Sequence, residues 1–259
     1  DYTVDFGDGT VLTNQTDDIY HTYSSPGTYT VSISGVFPHL QGLLSSFAQK
    51  IKTIEQWGNI QWQSMQDAFK NCTNLTINAS DTPDLSNVTN MNSMFNNANS
   101  LNSPSINNWD VSNVTEMRAT FSSCDTFNQP LNNWDVTNVT DMSFMFYASI
   151  YDQPLDNWDV SNVTDMSYMF GGSIFDQNQP TAFNQPLNSW DVSNVTNMES
   201  MFEDSAYDQP LNNWDVSNVT NMSNMFSNTA YDQPLNNWNV SNVTDMKKMF
   251  ASFIIDQPS

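Results

Sequence analysis

Two rhythms of apolar positions run through residues 131–151. Trp134 and Val136 alternate with Asp135, the period of two that marks a short strand with one buried face. Val139, Met142, Met145 and Phe146 then recur at steps of three and four, which predicts one face of a helix or 3₁₀ segment. Asn138 stands at its start with Asp141 three residues on, a capping pair. Asn162 with Asp165, Asn242 with Asp245 and Asn113 with Glu116 repeat the device, and Asn194 with Asn197 and Asn218 with Asn221 are weaker versions. A Tyr/Phe-Asp/Asn-Gln-Pro corner closes the unit at 151–154, 183–186, 207–210 and 231–234, where proline blocks any continuation of a ladder.

The same unit recurs from WDVSNVTEMRATF to WNVSNVTDMKKMF, opened by Trp109, Trp134, Trp158, Trp190, Trp214 and Trp238 at spacings of 25, 24, 32, 24 and 24. A fixed period in the twenties predicts stacked coils in which each unit hides its apolar face only against its neighbours. The expected fold class is α/β, a solenoid of about eight strand-plus-short-helix coils, two of them degenerate. Leucine, the six tryptophans, two valines, two methionines and phenylalanine line up as inner ladders. The 14 methionines therefore read as packing.

Three parts are expected: a β-sandwich fragment over 1–36, degenerate capping coils over 37–83, and the regular array over 84–259. In the first, Tyr2, Val4 and Phe6 alternate before a Gly7-Asp8-Gly9 turn. In the second, Phe47, Ile51, Ile54 and Trp57 are the candidate buried residues. The last unit stops at Gln257-Pro258-Ser259 without a polar cap, so either further repeats follow or something covers the final coil. Eight extra residues between Phe170 and Trp190 double the turn phrase, which fits a binding feature and a neutral slippage duplication equally well.

Charge narrows the partners. Six basic residues face 28 acidic ones, for a net charge of -22, and no lysine or arginine occurs from Ala119 to Met246. That field repels nucleic acid and anionic bilayers. It either keeps a repetitive stack soluble or attracts cations and basic partners. No apolar run reaches the ~20 residues of a membrane span, and no apolar leader precedes Asp1, so any export signal or anchor is expected outside this sequence. Cys72 and Cys124 fall at equivalent positions two coils apart. At ~4.8 Å per coil they are separated by about 10 Å, beyond the ~7 Å reach of a disulfide, which predicts two free thiols. Asn-Val-Thr sequons at Asn87, Asn113, Asn138, Asn162, Asn194, Asn218 and Asn242 read as what a capped helix start happens to spell.

The outward residues of the predicted strands, Asp110, Asp135, Asp159, Asp191, Asp215 and Asn239, are the candidate binding column. At about 4.8 Å apart neighbouring charges repel by ~0.9 kcal/mol even in bulk water. Bridging Ca²⁺, a cationic or sugar ligand, or simple splaying of solvated carboxylates would each relieve this. No cofactor is otherwise implied. His21 and His39 lie outside the array and outside any nucleophile motif, no glycine-rich phosphate loop occurs, and the repeated carboxylates lack the asymmetry that separates acid from base. A non-enzyme is expected.

WDVSNVTDMSYMF resembles the repeats of BspA-type leucine-rich-repeat bacterial surface proteins, and VDFGDGT…HTYSSPGTYTVSISG is similar to the second half of a polycystic-kidney-disease-type β-sandwich. The resemblance implies a right-handed strand-and-helix solenoid on an extracellular or cell-surface protein, in several members an adhesin. It supplies no shared binding residues. Thr120 in place of methionine and Asn239 in place of aspartate depart from the pattern. The expected partners are a protein or glycan on another surface, or copies of the chain itself, the last as a structural subunit of a surface layer, filament or virion.

Overall fold

The computed structural model describes residues 1–37, 39–40, 45–172 and 181–251. Most of the insertion after Phe170 and the unit end at 252–259 lie outside the described residues. The chain begins with a three-stranded antiparallel sheet of order β2-β1-β3, in which β1 (Tyr2–Asp5) pairs with β2 (Val11–Gln15) and β3 (Ser32–Gly35). Val4 and Phe6 are its buried side chains. A four-residue helix, α1 (Ser45–Ala48), follows, and then a parallel pair, β4 (Thr53–Ile54) with β5 (Thr76–Ile77). Ala48 and Trp57 are buried and Ile51 and Ile54 half-buried, but Phe47 is exposed and carries the Lys50 ammonium over its ring. A short helix has only one side against the stack, and Ala48 takes it.

From there the chain is nearly all-β in character, and the α/β expectation of a helix in every coil is wrong. Among the described residues, helix is limited to α1 and a 3₁₀ segment, Pro104–Asn108. The segment expected to be helical is a ribbon of tight turns. Met145 N–H donates to Met142 O and Tyr147 N–H to Phe144 O, while the N–H groups of Met142, Phe144, Phe146 and Ala148 donate outward to Asp165, Ser167, Met169 and Gly171 of the next coil, at 2.8–3.0 Å. Phe144 and Ala148 sit at φ +59° and +51°. Those left-handed residues stop a helix and rotate alternate amides toward the neighbour. Each costs about 1–2 kcal/mol for an L residue, offset by four inter-coil hydrogen bonds per ribbon at ~1 kcal/mol each. The device recurs at Ser93 and Asn97, Ala119 and Ser123, Ser200 and Asp204, and Asn224 and Asn228.

The strand, too, lies elsewhere than the alternation predicts. Trp134–Asp135–Val136 makes no ladder; the parallel bridges run instead through Asn90, Glu116, Asp141, Asp165, Asn197, Asn221 and Asp245. This series of bridges falls where the helix was expected to begin; a further bridge, Thr181 to Ser205, joins the two coils that also meet at Asp165 and Asn197. Asn138 does not cap: its Nδ2 donates to Ser112 O of the preceding coil at 2.8 Å. Asp141 Oδ1 accepts from Ser143 N–H, an Asx turn that opens the ribbon.

The core is a set of columns. Rings of Phe95, Phe121, Phe146, Phe170, Phe202 and Phe226 succeed one another at 5.6–5.8 Å between centroids. Phe127, Tyr151, Phe183, Tyr207 and Tyr231 form a second column at 6.1–6.4 Å. Trp109, Trp134, Trp158, Trp190 and Trp214 are buried and Trp238 half-buried. Each indole after the first donates Nε1–H to a carbonyl one coil back: Trp134 to Ile106, Trp158 to Leu131, Trp190 to Leu155, Trp214 to Leu187 and Trp238 to Leu211, at 2.9–3.0 Å. Among the described residues the indole N–H groups of Trp57, Trp62 and Trp109 have no acceptor, and Trp57 packs edge to face on the other two, where the degenerate coils meet the regular array. Both cysteines are free and buried, and burial pushes each thiol up to about 12.

Candidate functional site

Three rows of polar side chains decorate each coil. The first is the predicted column. Asp110, Asp135, Asp159, Asp191, Asp215 and Asn239 are all exposed, and each side-chain oxygen accepts the backbone N–H two residues on, at 3.0–3.2 Å. These are Asx turns: aspartate or asparagine closes a local ring that the backbone alone would leave open. The hydroxyls and N–H groups of Ser112, Ser161 and Ser217 hold the carboxyls of Asp110, Asp159 and Asp215 below the usual range. One oxygen of each carboxylate is thus committed to its own turn. Among the described residues, no group of three or more His, Cys, Asp or Glu side chains is placed to hold a metal ion.

The second row is the sequon asparagine. Nδ2 of Asn113, Asn138, Asn162, Asn194, Asn218 and Asn242 donates to the carbonyl of Ser86, Ser112, Thr137, Ser161, Ser193 and Ser217 in turn, at 2.7–3.1 Å. The amide nitrogen that a glycan would use is therefore engaged in the stack. The third row is threonine: Thr115, Thr140, Thr164, Thr196, Thr220 and Thr244 each give Oγ1–H and N–H to the same carbonyl of the preceding threonine. The recurrence of one such threonine per coil is the mark this ladder leaves in the sequence.

Two irregular features stand out against these rows. On the ribbon face, the Arg118 guanidinium lies over the Phe144 ring and Phe144 stacks on Tyr168 at 4.4 Å, while Tyr168 Oη–H donates to Glu199 Oε1. Burial pushes the nearby Glu203 carboxyl up, with the Ser200 hydroxyl opposing. At the proline corner, Asn132, Pro154, Asp156, Gln185, Pro186 and Ser189 line an open groove. Neither feature is implied by periodicity, because both arise where a coil departs from it. His21, away from the coils, bonds Asp8 at 2.8 Å and stacks on Phe6.

No described helix is long and apolar enough to cross a membrane. No curated protein and no solved structure matches the chain. Residues 1–34 match the PKD domain, which agrees with the resemblance of the leading segment. The repeats match a different description from the leucine-rich repeats of BspA-type proteins: residues 63–182 and 173–255 match one family twice in succession. With the greater part of its length covered, the chain belongs to the family described as Mycoplasma protein of unknown function, DUF285.

Proposed function

We propose that the protein is a non-enzymatic recognition module acting outside the cell, an adhesin-type surface for a protein or glycan. The observation that carries this is the set of outward rows of carboxylate, amide and hydroxyl, held in place coil after coil by side chain-to-backbone bonds. Such a surface is rigid before it meets a ligand, which lowers the entropy cost of binding. The resemblance of WDVSNVTDMSYMF to BspA-type repeats, and the accompanying PKD-like segment, point the same way. The acidic field selects neutral or basic partners over nucleic acid and anionic lipid.

A second reading is a structural subunit assembled through its repeats. It draws on the repeats themselves, in which one coil is hydrogen-bonded to the next along the stack. The two readings separate on one pair of measurements. Binding of the monomer to cells or to glycan and protein arrays, with no concentration-dependent growth in sedimentation, supports recognition. Filaments or layers without array binding would replace it with the assembly reading.

A further inference from the structure

The proline corner carries a fourth ladder, and it fails at one rung. In regular coils an asparagine Oδ1 accepts the N–H of the residue one position further along in the next coil: Asn107 from Asn133, Asn132 from Asn157, Asn188 from Asn213 and Asn212 from Asn237, at 3.0–3.3 Å. The rung between Asn132 and Asn188 would join Asp156 to Ser189, and that bond is missing. Asp156 instead turns back, and its Oδ1 accepts from Asn132 Nδ2 at 3.0 Å. The Ser189 N–H is left without an acceptor among the described residues. Both departures from Asn-Asn, Asp156 and Ser189, are exposed and line the groove, with the exposed rings of Pro154 and Pro186 beside them.

The groove thus sets a carboxylate acceptor beside a backbone donor, next to apolar C–H surface. A cation would satisfy the carboxylate and leave the N–H unmet; an anion would do the reverse and meet the repulsion of Asp156. A hydroxyl is both donor and acceptor, and two adjacent hydroxyls on a ring satisfy both groups at once. We infer that the groove between Asp156 and Ser189 is a binding site for a neutral saccharide unit bearing a vicinal diol. One hydroxyl donates to Asp156, its neighbour accepts from Ser189 N–H, and the C–H face of the sugar rests on Pro154 and Pro186. This deepens the recognition reading and rests on it.

The test is saturation-transfer NMR and titration of the full chain with the methyl glycosides of mannose, galactose, glucose and fucose, with sialic acid as the anionic comparison. The expected result is contact with at least one neutral glycoside and none with sialic acid. The double variant Asp156→Asn/Ser189→Asn rebuilds the regular rung. It should melt no lower than the natural chain and bind the glycoside about tenfold more weakly or not at all. Asp156→Ser, which removes only the carboxylate, should weaken binding likewise. Absence of binding by all four glycosides, or equal binding by the double variant, overturns the site. If the natural chain binds cells or arrays but none of the four glycosides, the site falls while the recognition reading stands. If the natural chain binds no cell or array, the recognition reading itself falls.

Discussion

Replacing Ala119 and Ala148 by glycine distinguishes a ribbon of turns from a helix by the sign of the effect. Both alanines are held at positive φ, +54° and +51°. An L residue there pays about 1–2 kcal/mol, which glycine does not. Against this, glycine loses roughly 0.5–1 kcal/mol more backbone entropy on folding. The net expectation is about 0.5–1 kcal/mol of added stability per site, so about 1–2 kcal/mol for the double variant if the two sites act independently. In a helix interior the same two changes would cost about 2 kcal/mol. For a chain of this size, each kcal/mol moves the melting midpoint by about 2–4 °C. The double variant should therefore melt about 2–8 °C higher by circular dichroism, with an unchanged far-ultraviolet spectrum at low temperature. A lower midpoint would refute the left-handed assignment and the hydrogen-bonded ribbon built on it.

Three further outcomes follow from the packing. Trp158→Ala removes a buried indole stacked on Trp190 and the donor to Leu131 O, and should cost ~3–5 kcal/mol; urea unfolding should then show two transitions as the stack parts at that coil, and a parental melt would contradict its place in the core. The Asp159 carboxyl, held low by Ser161, should titrate below the ordinary value, and Ser161→Ala should raise it in a carboxyl-carbon NMR titration. Because the folded pKa is depressed, the stability from this turn is present above the unfolded value of about 3.9 and lost as pH falls through the folded one. Cys72 and Cys124 should resist thiol reagents at neutral pH until the chain unfolds, and the mass should be the same with and without reductant.

Repetition was legible in the sequence, as was the residue set of each repeat, but secondary structure was not. Val139, Met142, Met145 and Phe146 are spaced at three and four in a helix and equally in two consecutive tight turns, so the period cannot separate them. Nothing in the letters of Phe144 or Tyr168 announces a left-handed backbone, which is unusual for bulky residues and is enforced here by the ladder to the next coil. Asn138 was read as a cap because a short amide side chain suits one; the same amide reaches a carbonyl in the preceding coil only because that coil lies within hydrogen-bonding distance. The alternation of Trp134, Asp135 and Val136 was real and sorts inside from outside, yet it forms no strand. In the candidate site, the recurrence of Asp110 and its counterparts as one row is plain in the sequence, but their engagement in Asx turns depends on backbone geometry. Asp156 and Ser189 replace one asparagine each of the Asn-Asn pair found in other coils, a difference that the broken rung, not the letters, makes informative.

The bonds between coils point along the stack, and among the described residues each coil is tied to the one before and the one after. Tension applied to the two ends therefore loads a single rung at a time, as in peeling, and does not strain all rungs together as shear would. Each rung that gives way releases about 24 residues, roughly 80 Å of extended chain. Under load such a stack is expected to lengthen coil by coil and not to part all at once.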